Sequence, residues 1–358
     1  MTAPPAPHSD FAMSETPNPN AISAAGPAAA GRPGRPRLFV TRRLPKKTEA
    51  RMTDLFDAQL RDADEPLSAD EIAAGMADAD VLVPTVTDEI DAALIARAGP
   101  RLKLIANFGV GVNHIDLKAA HGAGIMVTNT PGVLTEDTAD MTLALILATM
   151  RRTGVGERRL RAGDWAGWAP TSLRGTRVGG KKLGIIGMGR IGGAVAKRAQ
   201  AFGMDVLYHN RHRMPEAAEQ ALGATWWDDL DAMLAEVDIL SIHCPLTAET
   251  EGLMDARRLA LLPPHAYLIN TARGEIVEEG ALAAALAGGR LAGAGLDVFA
   301  DEPNVPQALL DLENVTLLPH MGSATFEGRR AMGDKVITNI RVWADGHRPP
   351  DQVLEGWA

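Results

Sequence analysis

From Arg37 onward, short apolar runs alternate with stretches whose apolar residues recur at helical spacing. Leu38-Phe39-Val40-Thr41 reads as a strand and Leu44 to Leu60 as an amphipathic helix. Val81-Leu82-Val83 is the next strand, followed by a helix over Asp88 to Ala98. Leu102 to Ala106 and Ile125 to Thr128 are two more strands, with a short helical stretch between them. A long helix opens at Thr135 and runs through Met141 to Leu147. A connection containing Gly, Trp and Pro follows, Gly163 to Gly180. A second alternating series starts at Lys182. Its strands are Leu183 to Ile186, Val206 to His209, Ile239 to His243, Ala266 to Ile269, Gly293 to Val298 and Val315 to Leu318. The last helix, Ala324 to Trp343, is long enough to return to the first series.

Strands that alternate with helices in this way build parallel sheets covered on both faces. The pattern predicts an α/β chain of two doubly wound domains. A flavodoxin-like substrate domain (36–134 and 322–358) is interrupted by a Rossmann dinucleotide-binding domain (135–321). Met1 to Arg35 is rich in Ala, Pro, Gly, Ser and Asn and nearly free of large apolar side chains. Such a segment cannot bury enough surface to offset its ordering entropy, so a disordered tail is expected, with Met13 as an alternative start inside it.

Composition narrows the function classes. The 358 residues suit two domains, and a formal net charge of −9 argues against a general nucleic-acid binder. No apolar run reaches the roughly 18 residues that span a bilayer. The single cysteine, Cys244, allows no intrachain disulfide and fits a cytoplasmic protein. No metal is expected.

The sharpest local signal is Gly187-Met188-Gly189-Arg190-Ile191-Gly192, directly after the strand Leu183 to Ile186 and opening the helical run Ala194 to Ala199. This context is what a dinucleotide fingerprint requires. Gly187 permits the tight turn, Gly189 lets the backbone approach a pyrophosphate, and Gly192 lets helix and strand pack closely. The N–H groups of the first helical turn, from Arg190 and Ile191, face the phosphates. NAD sites place an acid at the end of the next strand. Here that strand ends in Asn210-Arg211-His212-Arg213. A neutral Asn210 followed by Arg211 and Arg213 suits a 2′-phosphate, so NADP(H) is the expected cofactor and NAD(H) the alternative.

Three later segments place polar groups at strand ends: Arg273, Glu302 and His320. Reducing a 2-oxo acid needs a cation for the carboxylate and a proton for the developing alkoxide. Arginine binds carboxylates bidentately, and histidine titrates at roughly 6.5. A neighbouring glutamate fixes the imidazole tautomer and favours its protonated form.

With these residues in place, the chain resembles the D-2-hydroxyacid dehydrogenase family, and within it glyoxylate/hydroxypyruvate reductases. The matching stretches are Asn107 to Asp116, Gly187 to Gly192, His243 to Thr247, Thr271 to Gly274, Glu302-Pro303 and Pro319 to Ser323. They span the chain from about Arg37 to Trp343. The resemblance implies that Arg273 holds the substrate, His320 is the general acid/base and Glu302 orients it. It implies that the N–H groups of Val110 and Gly111 receive the carboxylate. Thr271, Asp297 and Gly322 would line the nicotinamide pocket, and Cys244 and Pro245 would border the adenosine side.

Formate dehydrogenases of this superfamily carry Gln at the position of Glu302, which disfavours formate. Too few residues follow His320 for the regulatory domain of long phosphoglycerate dehydrogenases. Trp165 and Trp168 fall in a region that, in such reductases, can reach a partner subunit's active site; packing within the chain or a dimer contact explains them as well. A homodimer is expected. Two alternatives stay open: a dehydrogenase for a bulkier 2-hydroxy acid using NAD, and a dinucleotide-sensing binding protein like the corepressors that share this fold.

Overall fold

The computed structural model describes residues 34–354. The tail expected over 1–35 therefore lies outside the described residues, except for Gly34 and Arg35.

The first sheet contains β1 (Arg37–Val40), β2 (Asp57–Gln59), β3 (Val81–Val83), β4 (Leu104–Ala106) and β5 (Met126–Thr128), in the spatial order β2-β1-β3-β4-β5. The second contains β6 (Lys182–Ile186), β7 (Asp205–His209), β8 (Ala224–Trp226), β9 (Ile239–Ile242), β10 (Tyr267–Asn270), β11 (Gly293–Leu296) and β12 (Val315–Leu317). Its order is β12-β11-β10-β9-β6-β7-β8. All of these strand pairings are parallel. The first order is the flavodoxin-like one, and the second is the Rossmann order with one strand added at an edge. Both doubly wound sheets expected from the pattern are present.

The central strands are largely apolar on both sides because both faces are covered. In the second sheet Leu240, Leu268 and Leu296 point into one core cluster. Ile239, Ile269, Leu183 and Ile185 point to the other face, against the helices Thr135–Met150 and Arg190–Ala201. In the first sheet Leu38, Val40, Val81, Val83 and Leu104 pack on Met332, Val336, Ile337 and Ile340 of the helix Phe326–Ala344. The final helix does return to the first sheet. Its start is tied to the start of the Thr135–Met150 helix, since Thr325 Oγ1 donates to Asp137 Oδ2 at 2.9 Å.

Local assignments differ in places. The helix expected over Leu44 to Leu60 ends at Leu55, because Phe56 turns extended and Asp57–Gln59 adds an edge strand to β1. The helix expected over Asp88 to Ala98 is a single turn, Ala92–Ile95, capped by Asp91. Asp88 is instead buried, accepting from Thr41 Oγ1 at 2.6 Å and Thr85 N–H at 2.7 Å. The helices Ala69–Met76 and Thr153–Arg161 and the edge strand β8 are additions to the pattern read from the sequence.

Candidate active site

A cleft of about 2020 Å³ lies where the carboxyl ends of the two sheets face each other, lined by the segments that follow β4, β6, β9, β10, β11 and β12. Ligands of open α/β sheets bind at this end.

The turn after β6 has the geometry a dinucleotide needs. Gly187 adopts φ +96°, and a Cβ there would strike the backbone of His243 and Cys244. A Cβ on Gly192 would strike the Gly187 carbonyl, whereas Gly189 faces open space. The helix Arg190–Ala201 has no side-chain cap, so its first-turn N–H groups stay available beside that space. Gly189, Arg190 and Ile191 line the cleft. This cradle fits a pyrophosphate.

Across the cleft, His320 Nδ1 lies 2.7 Å from Glu302 Oε2, and the other carboxylate oxygen accepts from Phe299 N–H at 3.1 Å. Burial works to raise the Glu302 carboxyl, but the hydrogen bond and charge of His320 prevail and hold it below the ordinary carboxylate value. Glu302 is thus an anion facing Nδ1, which leaves Nε2 without a hydrogen bond among the described residues. His320 sits at φ 51°. That conformation is held by Asp297, whose carbonyl accepts from His320 N–H at 2.9 Å. The Asp297 carboxylate accepts from Met321 and Gly322 N–H, each at 2.8 Å. Burial pushes the Asp297 carboxyl up, against the pull of those two N–H groups. Asp297 and Gly322 line the cleft, and both Asp297 carboxylate oxygens serve the histidine loop. Thr271 Oγ1 donates to Thr142 Oγ1 at 3.0 Å, because the Thr142 hydrogen is spent on the Thr138 carbonyl.

Arg273 follows β10 in a turn fixed by Asn270, which accepts from Ala272 N–H at 3.0 Å and donates to the Arg273 carbonyl at 2.8 Å. Its Nε donates to Asn113 Oδ1 at 3.0 Å and its Nη1 to the Ala272 carbonyl at 2.7 Å. The guanidinium lies so close to Gly111 that a Cβ there would collide with Nη2. Val110 and Gly111 sit in a loop whose carbonyls are tied down. Asn129 donates to Val110 O at 2.8 Å, and Asn107 to Gly109 O at 3.2 Å and Gly111 O at 2.9 Å. Among the described residues, the N–H groups of Val110 and Gly111 make no hydrogen bond. Two free donors beside a cation form a receptor for a carboxylate. Asn107 Oδ1 lies 3.1 Å from His114 Nε2. Burial, with Arg273 adding to it, lowers His114 to about 4, so it is neutral and donates through Nε2. Asn107 and Asn113 flank the glycines of the Asn107 to Asp116 stretch, but nothing local in the sequence marks them as supports.

Cys244 and Pro245 line the cleft, and burial pushes the Cys244 thiol up to about 11, away from thiolate chemistry. Asn210 Oδ1 accepts from Met188 N–H at 2.6 Å, joining the end of β7 to the glycine turn. Arg213 departs from expectation. Its Nε and Nη2 donate to Glu219 at 2.9 and 2.8 Å, so the fork assigned to a 2′-phosphate is spent inside the protein. Arg211 is exposed and makes no hydrogen bond or ion pair among the described residues.

A dinucleotide cradle facing a histidine–glutamate pair and an arginine defines an oxidoreductase that works on a small acid. The chain belongs to the D-isomer specific 2-hydroxyacid dehydrogenases, whose NAD binding domain matches residues 143–322. The glyoxylate reductase of Thermococcus litoralis is 42% identical over 323 residues, 89% of this chain and 97% of that one. That of Aeropyrum pernix is 44% identical over 324 residues, 89% of this chain and 96% of that one. The crystal structure of the NADPH-dependent glyoxylate/hydroxypyruvate reductase of Sinorhizobium meliloti, in complex with NADP and malonate, matches with a TM-score of 0.79 at 38% identity. It covers 90% of this chain and 98% of that one. The protein is an NAD(P)-dependent oxidoreductase of this family. Among the described residues, no helix is long and apolar enough to cross a membrane.

Proposed function

We propose that this enzyme reduces glyoxylate, hydroxypyruvate or a similarly small 2-oxo acid to the 2-hydroxy acid, with NADPH preferred to NADH. The carrying observation is that Arg273 abuts Gly111 while the His320–Glu302 pair stands in the same cleft. The substrate carboxylate is received by the Val110 and Gly111 N–H groups and the free edge of Arg273. When bound, the reduced nicotinamide supplies the hydride to C2. His320 Nε2–H gives its proton to the C2 oxygen as charge develops there, and Glu302 stabilises the imidazolium until then. In the reverse direction neutral Nε2 takes that proton back.

We take 36–134 with 322–358 as the acid-binding unit and 135–321 as the dinucleotide-binding unit. The NADPH preference is supported by Asn210, which places no carboxylate at the ribose, and by the unpaired Arg211. Trp165 and Trp168, 60% and 84% exposed, supply the apolar contact of a homodimer. The test is kcat/KM for a panel of 2-oxo acids with each cofactor. The two-carbon and three-carbon acids should lead, and NADPH should exceed NADH. Preference for branched or aromatic 2-oxo acids would refute the substrate, and preference for NADH would refute the cofactor. Tight nucleotide binding without turnover of any acid would favour a sensor.

A further inference from the structure

The loop after β7 is anchored at both ends, and the residues that anchor its far end take no part in the chemistry above. At the near end Asn210 accepts from Met188 N–H in the glycine turn. At the far end the Tyr208 hydroxyl, fully buried in β7, donates to Glu219 Oε1 at 2.5 Å and accepts from Met214 N–H at 3.0 Å. Glu219, in the helix Glu216–Ala221, is 5% exposed. It also takes the fork of Arg213, and the Arg213 guanidinium lies 5.3 Å from the Trp226 ring centre in β8. A buried carboxylate is costly alone and tolerable when fully paired. The pairing here, Arg213 first and then Tyr208, brings the Glu219 carboxyl down to about 2. Arg211 and His212 are what remain between the two anchors. Glu249, which follows the cleft-lining Thr247 and Ala248, has its carboxyl lowered first by the Thr247 hydroxyl and, in smaller part, by the charge of Arg211.

We propose that Tyr208, Glu219 and Arg213 form a strut that holds this loop so that Arg211 alone stands ready for the 2′-phosphate. Glu219 and Tyr208 are then positioning residues for cofactor specificity, although neither touches the cofactor. The inference rests on the NADPH preference proposed above. A fixed loop spares the ordering cost of an arginine on a mobile one, and that cost falls only on the ligand Arg211 recognises.

The test measures dissociation constants for NADP⁺ and NAD⁺ by calorimetry, and amide exchange at Met214, in the unmodified protein, Glu219→Gln and Tyr208→Phe. Glu219→Gln should weaken NADP⁺ by about three- to tenfold while NAD⁺ changes little. Tyr208→Phe should speed exchange at Met214 and weaken NADP⁺ in the same direction; it also serves if Glu219→Gln does not fold. Equal weakening of both nucleotides would reduce the strut to general support and overturn the inference. Tighter NADP⁺ binding by Glu219→Gln would make Arg213 a phosphate ligand held in reserve, which overturns it as well. An unmodified protein that binds NAD⁺ more tightly would overturn the cofactor reading and the inference together. Preference for NADP⁺ that both variants keep intact would overturn the strut alone.

Discussion

His320 occupies a left-handed backbone conformation that costs a side chain other than glycine free energy, so its surroundings must impose it. Asp297 does so with three acceptors, and this divides the labour between contact and support. Removing the contact, as in His320→Ala, should lower kcat by roughly 10² to 10⁴, the usual worth of a general acid, with nucleotide dissociation constants unchanged. Arg273→Lys keeps a charge but loses the planar fork that holds Asn113 and that we propose holds the substrate, so kcat/KM should still fall steeply. Near-normal kcat/KM in that variant would reduce Arg273 to a point charge. Gly111→Ala should act on the same receptor from the other side, because its methyl takes the space of the guanidinium. The acid's KM should rise while nucleotide binding holds. That Arg273, Glu302 and His320 end up in one cleft was legible in the sequence, because each follows an apolar strand at the sheet end where ligands bind. Asp297 was legible as a cleft residue but not as a support, and Asn113 not at all. A support is defined by what it reaches across the fold, and Asn113 reaches Arg273 from 160 positions away in sequence.

At the scale of elements, the glycine turn separates packing from binding. Gly192→Ala places a methyl against the Gly187 carbonyl and should lower Tm. Gly189→Ala meets no neighbouring atom, so Tm should hold while both NAD⁺ and NADP⁺ bind more weakly. Equal loss of stability in the two variants would contradict this division. The element joining β7 to β8 carries a pH dependence. Glu219 drops from its ordinary 4.5 to about 2, so the stability it lends is complete above 4.5 and fades as pH falls toward 2. The gap in urea midpoint between the unmodified protein and Glu219→Gln should therefore narrow between pH 7 and pH 3. The second strand series was read almost to the residue, because central parallel strands such as Ile239–Ile242 are buried throughout and mostly apolar. The edges were not. Asp57–Gln59 and Ala224–Trp226 carry polar or half-exposed residues, and only pairing with β1 and β7 makes them strands. Asp88 misled for a related reason. It looks like a solvent-facing helix start, but it is buried where β1 and β3 exit.

For the whole molecule, the return of the final helix was legible from its length, and the two doubly wound sheets from the alternation of strands and helices, although parallel neighbours such as β6 and β9 are set by long-range pairing. The return also has a consequence for how the chain comes into being. The first sheet lacks the cover of Met332, Val336, Ile337 and Ile340 until Phe326–Ala344 has left the ribosome. The middle of the chain carries both faces of its own core and is free to fold earlier, so the first sheet must wait, partly uncovered, for a helix made well after it. A chain ended at residue 325 should bind nucleotide and protect its β6 to β11 amides from exchange, while β1, β3 and β4 exchange freely. Full protection of β1, β3 and β4 in that fragment would show that the first sheet completes itself during synthesis without its closing helix.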